Sequence, residues 1–95
     1  MKDSLANTAP IETITLTDGK EYTLSPLDLN MLCEVERRFP DVEPITKILD
    51  GKMSTIRLVL WLRLRDKYPE VTEESIGKLV SWQILTDIMK RAVRI

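Results

Sequence analysis

The sequence contains no histidine, and its 95 residues include one cysteine and three glycines. The absence of histidine excludes Ser-His and Cys-His nucleophile pairs and the usual catalytic zinc sites. One cysteine leaves no partner for a disulfide within the chain, and three glycines are too few for a glycine-rich phosphate-binding loop. The sequence therefore predicts a protein that is not an enzyme and has no catalytic, metal or cofactor site.

Cys33 itself is predicted to be inert. It follows two apolar residues in a segment of helical spacing, and Glu34 and Glu36 are close by. Negative neighbours disfavour a thiolate, and unpaired cysteines often behave as small buried hydrophobes. We therefore expect Cys33 to be part of the core. The two glutamates are two positions apart on a helix and point in different directions, so they are not expected to act as an acid/base pair.

Composition predicts a single folded domain. Hydrophobic residues make up 43% of the chain and charged residues 31%, which is too apolar for a disordered chain. No apolar run reaches the roughly 18 residues that a membrane span needs, and the polar start of the chain is unlike a signal peptide. Together with the lone cysteine, this favours the cytoplasm and a partner other than a membrane.

Charge is distributed unevenly along the chain. Residues 1–50 hold 10 acidic and 5 basic side chains, whereas residues 51–95 hold 9 basic and 5 acidic ones. These charges either solvate the two halves or steer association, with a charged partner or head-to-tail between copies. Self-association is therefore a possible property of the chain.

The predicted fold begins with a β-hairpin. Two alternating runs, Ile11–Thr17 and Lys20–Leu24, flank an Asp-Gly pair, which is a hairpin signal. A two-residue loop would put the apolar side chains of the two strands on opposite faces. A three-residue loop with Gly19 left-handed pairs Ile14 with Tyr22 and gathers the apolar side chains on one face.

Two helices are predicted next. Ser25 is expected to cap the first, over Pro26–Arg38, and Pro44 to open a short second helix that ends at an Asp-Gly turn. Residues at helical spacing predict the buried stripe of the first helix: Met31, Leu32, Val35 and Phe39.

The most apolar segment, Ile56–Leu64, predicts the central element. Ser54 is expected to cap a helix that extends to Tyr68, before Pro69 ends it. Alternating leucines in this segment also fit a strand, but its length and its capping residue favour a helix. Because the segment is apolar around its whole circumference, we expect a buried helix.

The last helical region is predicted from Glu73 to about Arg94, with Thr72 as its cap, either as one helix or as two separated near Ser81. One apolar stripe contains Ile76, Val80, Ile84 and Ile88. A second stripe, on a partly different face, contains Trp82, Leu85, Met89 and Ala92.

The fold class predicted from these elements is mainly α (α+β). A flexible N-terminal lead over residues 1–10 precedes a single domain over residues 11–95, in which an N-terminal β-hairpin packs on a small bundle of four to five helices.

The second stripe supplies the candidate partner-binding residues, Trp82, Leu85 and Met89. Large aromatic and flexible side chains at helical spacing suit a groove or a helix in another protein, although such a stripe can also complete the core. The edge of the hairpin, which could accept another strand, is a second possible surface.

Nucleic-acid binding is the alternative function. Four basic residues lie close together in one segment: Arg57, Arg63, Arg65 and Lys67. Phosphate affinity needs a coherent positive surface, whereas the net charge is only −1 and apolar residues separate these side chains. A small helical DNA-binding or regulatory protein is therefore the weaker interpretation.

Several segments, in their order, resemble the small tail assembly chaperones of long-tailed bacteriophages and prophages. They are LTDGKEYTLSPLDLN, LNMLCEVERRF, the short helix with its DG turn, IRLVLWLRLR and PEVTEESIGKLV. The resemblance spans about Ile11 to Met89 and lies mainly in helix caps and core positions.

This resemblance implies a protein of the host cell cytoplasm that is not an enzyme. It would bind the tape measure protein, help recruit subunits of the major tail tube protein during tail morphogenesis, and be absent from the finished virion. The family has no catalytic motif to transfer, so the candidate contacts at Trp82, Leu85 and Met89 depend on the physical argument alone.

Overall fold

The structure, a computed structural model, describes residues 12–93, and for residues 91–93 the backbone alone. Within this range an antiparallel hairpin precedes five helices, which confirms the predicted fold class. The elements are β1 (Glu12–Thr15), β2 (Glu21–Leu24), α1 (Leu29–Arg38), α2 (Pro44–Ile48), α3 (Met53–Leu64), α4 (Glu73–Leu79) and α5 (Trp82–Val93). The predicted flexible lead, residues 1–10, lies outside the described residues. No helix among residues 12–93 has both the length and the apolar character needed to cross a bilayer.

The hairpin has the predicted register. Ile14 lies opposite Tyr22, and the Leu16 N–H donates to the Lys20 carbonyl at 3.1 Å around the three-residue loop. Gly19 has a φ of 81°, the left-handed conformation that glycine adopts without a steric penalty. The apolar side chains of both strands are buried on one face. The predicted pairing, which was chosen to place them there, is therefore confirmed.

Helix α1 begins three residues later than predicted. Asp28 is its cap and accepts a hydrogen bond from the Met31 N–H at 2.9 Å. Ser25, the predicted cap, is instead bound to α3: its N–H donates to the Arg63 carbonyl at 2.9 Å, and its carbonyl accepts from Arg63 Nε at 2.7 Å. Both backbone groups of Ser25 are used in this tertiary contact, and Pro26 lies before the helix, which begins at Leu29.

Helix α3 also differs from the prediction at both ends. It begins at Met53, so Ser54 lies inside its first turn and is not the cap. The Asp50 carboxylate stabilises the start of α3 by accepting a hydrogen bond from the Lys52 N–H at 2.8 Å. At the other end the helix stops at Leu64, before Tyr68, whose hydroxyl accepts a hydrogen bond from the hairpin.

The core consists of two clusters on different sides of α3. Leu58 and Leu62 pack with α1, whereas Leu60 and Leu64 pack with the hairpin and α4. Residues two apart on a helix are separated by about 200°, so alternating leucines are buried on both sides. The predicted helix is thus confirmed over the strand, and the alternation reflects its central position.

Two helices, not one, form the last helical region. Val80 has extended backbone angles, φ −105° and ψ 107°, which end α4. The Ser81 hydroxyl then accepts a hydrogen bond from the Ile84 N–H at 3.3 Å, and the Ser81 carbonyl accepts one from the Leu85 N–H at 2.9 Å. Ser81 is thus the cap of α5, which begins at Trp82. The predicted cap at Thr72 is confirmed, with a reciprocal hydrogen bond between Thr72 and Ser75.

Candidate protein-binding surface

Helix α5 has two apolar faces with different environments. Ile84 and Ile88 are half-buried against the cluster that contains the hairpin. Trp82 is 77% exposed and Met89 41% exposed, while Leu85, between them, is half-buried. Trp82 and Met89 are therefore not core residues, and the three side chains lie at spacings of three and four on one helix face. We call Trp82, Leu85 and Met89 the α5 stripe; the side chain of Ala92 is outside the description.

An open apolar groove adjoins the α5 stripe. It has a volume of about 340 Å³ and lies between α3 and the α4–α5 pair. Its apolar lining consists of Met53, Ile56, Leu60, Ile76, Val80 and Leu85. Leu85 belongs to both the groove and the stripe, which therefore form one continuous surface. Sequence reasoning missed this groove, because it combines residues of three helices and no local pattern indicates it.

Arg57 is the charged residue at the groove. It lines the groove beside Gly77, where an added Cβ would lie 3.4 Å from the Arg57 Cδ. The Arg57 side chain therefore lies along α4 next to Gly77, at a distance that is ordinary for van der Waals contact. Among the described residues Arg57 has no hydrogen bond or ion pair, so its guanidinium is available to a ligand.

The other arginines of the basic segment are engaged within the protein. Arg63 forms an ion pair with Glu12, in addition to its bond to the Ser25 carbonyl. The guanidinium of Arg65 lies 5.1 Å from the ring centroid of Trp61, a cation–π contact. Lys67, the fourth basic residue of the segment, is exposed and has no hydrogen bond or ion pair with another described residue.

Cys33 is exposed, so the prediction of a buried cysteine is wrong. Helix α1 buries Met31 and Val35, and Cys33 is two positions from each. Two helical positions correspond to about 200°, which places Cys33 on the opposite face. The helical spacing of Cys33 from the buried Met31 and Val35 would have predicted its exposure. The apolar residues next to Cys33 in the sequence do not determine whether it is buried.

A second apolar cavity, of about 220 Å³, lies between α1 and α2 next to Cys33. Its lining consists of Leu29, Leu32, Cys33, Glu36, Glu43, Pro44 and Ile45. The Glu43 carboxylate caps α2, accepting from the Thr46 N–H at 2.9 Å, and this bond lowers the pKa of Glu43. Glu36 has no hydrogen bond or ion pair with another described residue.

The titratable groups with shifted pKa values form hydrogen bonds that stabilise loops and helix ends. The Tyr22 hydroxyl donates to the Asp18 carboxylate at 2.6 Å in the hairpin loop, which raises the pKa of Tyr22 to about 12 and lowers that of Asp18. No group of three or more potential metal ligands occurs within residues 12–93. The groove and the α5 stripe are thus the features best suited to a ligand, and their chemistry suits an apolar protein surface.

Comparisons with protein-family models, with curated proteins and with solved structures gave no match. The resemblance to tail assembly chaperones therefore stays a prediction from the sequence motifs.

Proposed function

We propose that this protein is a tail assembly chaperone of a long-tailed bacteriophage or prophage. In this role it binds the tape measure protein, helps recruit tail tube subunits during tail morphogenesis, and leaves before the virion is complete. The proposal combines the motif resemblance with one structural observation, the exposed α5 stripe.

The α5 stripe supports the proposal because it is apolar, exposed and continuous with a groove. Trp82, at 77% exposure, would contribute little to folding but much to an interface, where tryptophan is enriched among the residues that dominate affinity. A long amphipathic helix, such as the tape measure protein of such phages, aggregates unless its apolar face is covered. The α5 stripe and the groove offer a complementary apolar surface for one segment of such a helix.

DNA binding, the alternative function, has less physical support. Arg63 and Arg65 are engaged by Glu12 and Trp61, which leaves two residues of the basic segment without an internal contact: Arg57, at an apolar groove, and the exposed Lys67. A single cation at the groove is a poor match for a phosphate backbone, which is bound by several cations spaced along it.

Deletion of the gene from its phage or prophage tests the proposal. We expect tails to be absent or aberrant in electron micrographs, normal tails to return when the wild-type chain is supplied in trans, and the chain to be absent from purified virions by mass spectrometry. A gene without neighbouring tape measure and tail tube genes, or a chain found at stoichiometric levels in virions, would contradict the proposal.

A further inference from the structure

Helix α5 is the element least closely attached to the rest of the domain. Its backbone approaches the hairpin and the other helices less than the backbone of any other described element approaches its neighbours. Ile84 and Ile88, which dock α5 on the cluster that contains the hairpin, are only half-buried, whereas Leu60 and Leu64 of the same cluster are 5% and 0% exposed. Segments with few buried apolar contacts open at a free energy well below that of global unfolding. The packing of α5 is therefore that of a segment that opens separately.

The connection between α4 and α5 joins two separately bonded parts of the structure. The Leu79 carbonyl accepts a hydrogen bond from the Thr17 N–H at 3.0 Å, and the Val80 N–H donates to the Ile76 carbonyl at 3.1 Å, so the end of α4 is fixed to the hairpin loop. The hydrogen bonds of Ser81 instead run forward, to amides of α5. The boundary is the peptide between Val80, which is extended, and Ser81. Short element-terminal segments of this kind absorb the backbone rotation of hinges.

The surroundings of α5 leave it room to move. On one side is the open apolar groove of about 340 Å³, which Leu85 borders, and on the other is solvent, to which Trp82 is 77% exposed. Close packing holds an ordinary core helix in place, because protein interiors contain few voids larger than a water molecule. A displacement of α5 breaks mainly the apolar contacts of Ile84 and Ile88.

We propose that α5 is a hinged helix that undocks from the domain as a unit at the Val80–Ser81 peptide, while the hairpin and α1–α4 stay folded. Undocking uncovers Ile84 and Ile88 and widens the groove, so that both apolar faces of α5 are offered to another protein. A helix of 12 residues is only marginally stable alone in water, so undocked α5 is stabilised again by redocking or by a partner that covers it.

The hinge regulates access to the inner face of α5. A partner that contacts only the α5 stripe binds the docked state directly. A partner that also contacts Ile84 and Ile88 binds only the undocked state, so its apparent affinity is reduced by the undocked fraction. This device depends on the packing of α5 and not on the identity of the partner, so it does not depend on the proposed chaperone function.

Native-state hydrogen exchange of the full chain, read by NMR at urea concentrations below the unfolding transition, tests the proposal. After correction for intrinsic rates, we expect the amides of Leu85 to Met89 to exchange at least about 100-fold faster than the slowest amides of α3. Their exchange should also depend less on urea, because undocking exposes less surface than global unfolding does. The Val80 amide, on the α4 side of the hinge, should be more protected than the Leu85 amide.

A core variant separates undocking from global unfolding. Val35, at 1% exposure, belongs to the cluster between α1 and α3, which α5 does not join. Val35→Ala should accelerate exchange in α3 about tenfold through the loss of core packing, and should leave exchange in α5 within about twofold of the wild type.

A matched pair of α5 variants then tests the docking contacts. Ile84→Ala with Ile88→Ala should accelerate exchange in α5 about tenfold or more, although alanine is the better helix former, and the chemical shifts of the hairpin and α1–α4 should stay close to those of the wild type. The control, Trp82→Ala with Met89→Ala, makes two large-to-alanine changes on the exposed face of the same helix and should leave α5 exchange within about twofold.

Four outcomes would each overturn the proposal. They are α5 amides that exchange at the rate and urea dependence of α3, a Val80 amide that exchanges as fast as that of Leu85, a Val35→Ala variant in which α5 accelerates as much as α3, and a control that accelerates α5 as much as the loss of Ile84 and Ile88 does.

Discussion

Replacing Trp82 with alanine should change the stability of the domain only slightly, although such a substitution at a fully buried site costs about 3–5 kcal/mol. Trp82 is 77% exposed, so about a quarter of its surface is buried, which scales the expected loss to about 1 kcal/mol or less. Leu62, at 0% exposure in the last turn of α3, provides the contrast. Leu62→Ala keeps helix propensity but leaves a cavity, and should cost about 3–5 kcal/mol.

Urea unfolding of the two variants and the wild type measures this difference. Trp61 stays as the fluorescent reporter in both variants, and its indole N–H donates to the Val71 carbonyl at 3.2 Å, so its emission follows core packing. Equal m-values would show that the unfolding transitions are comparable. A loss of about 3 kcal/mol or more for Trp82→Ala would contradict this prediction, because it would place Trp82 in the core and remove it from the candidate binding surface.

Three further predictions concern local structure. Asp28→Ala should reduce the free energy of unfolding by about 1 kcal/mol through loss of the α1 cap, whereas Ser25→Ala, measured in the same urea series, should be nearly neutral because only the backbone of Ser25 is used. Gly51→Ala should cost about 1–2 kcal/mol, because the φ of Gly51 is 74° and a side chain is strained there; a neutral result in thermal unfolding would contradict this. The Asp18 pKa lies below its ordinary value of 3.8, so the stability that its hydrogen bonds contribute is present above that pH and is lost as the pH falls through the lowered pKa. In Tyr22→Phe the hydrogen bond from the Tyr22 hydroxyl is removed, and carboxyl titration by NMR should show that the Asp18 pKa has moved back upward. An unchanged Asp18 pKa would contradict this assignment.

Sequence reasoning predicted the elements whose signals are local and consistent with one another. The hairpin register followed from the need to place Ile14 and Tyr22 on one face, and Gly19 supplied the left-handed residue that this loop requires. The Thr72 cap and the short helix at Pro44 were predicted correctly for the same reason: one or two residues determine each of them.

Errors occurred where a tertiary contact competed with a local signal. Ser25 and Pro26 have the pattern of a helix start, but Arg63 of the distant α3 binds the backbone of Ser25, and the cap moves to Asp28. The end of α3 shifted for a similar reason, since Tyr68 packs on the hairpin. A single sequence does not show such contacts, because the partners are separated by tens of residues.

The candidate site was predicted in part. Sequence spacing identified the α5 stripe, but whether it completed the core or faced outward depended on where Ser81 breaks the helical region and how α5 then packs. The groove next to it and the unpaired Arg57 followed only from the packing of α4 and α5 on α3.

Co-expression with the tape measure protein tests directly whether the α5 stripe binds that protein and keeps it soluble. The soluble amount of tape measure protein is measured with the wild type, with Trp82→Ala plus Met89→Ala, and with Leu27→Ala plus Leu49→Ala; this control matches the exposures, 42% and 76% against 41% and 77%. We predict a soluble complex with the wild type and the control, and insoluble tape measure protein with the folded α5 variant. Equal solubility with all three chains would contradict the claim that the α5 stripe binds it, and insolubility with the wild type would contradict the chaperone function itself.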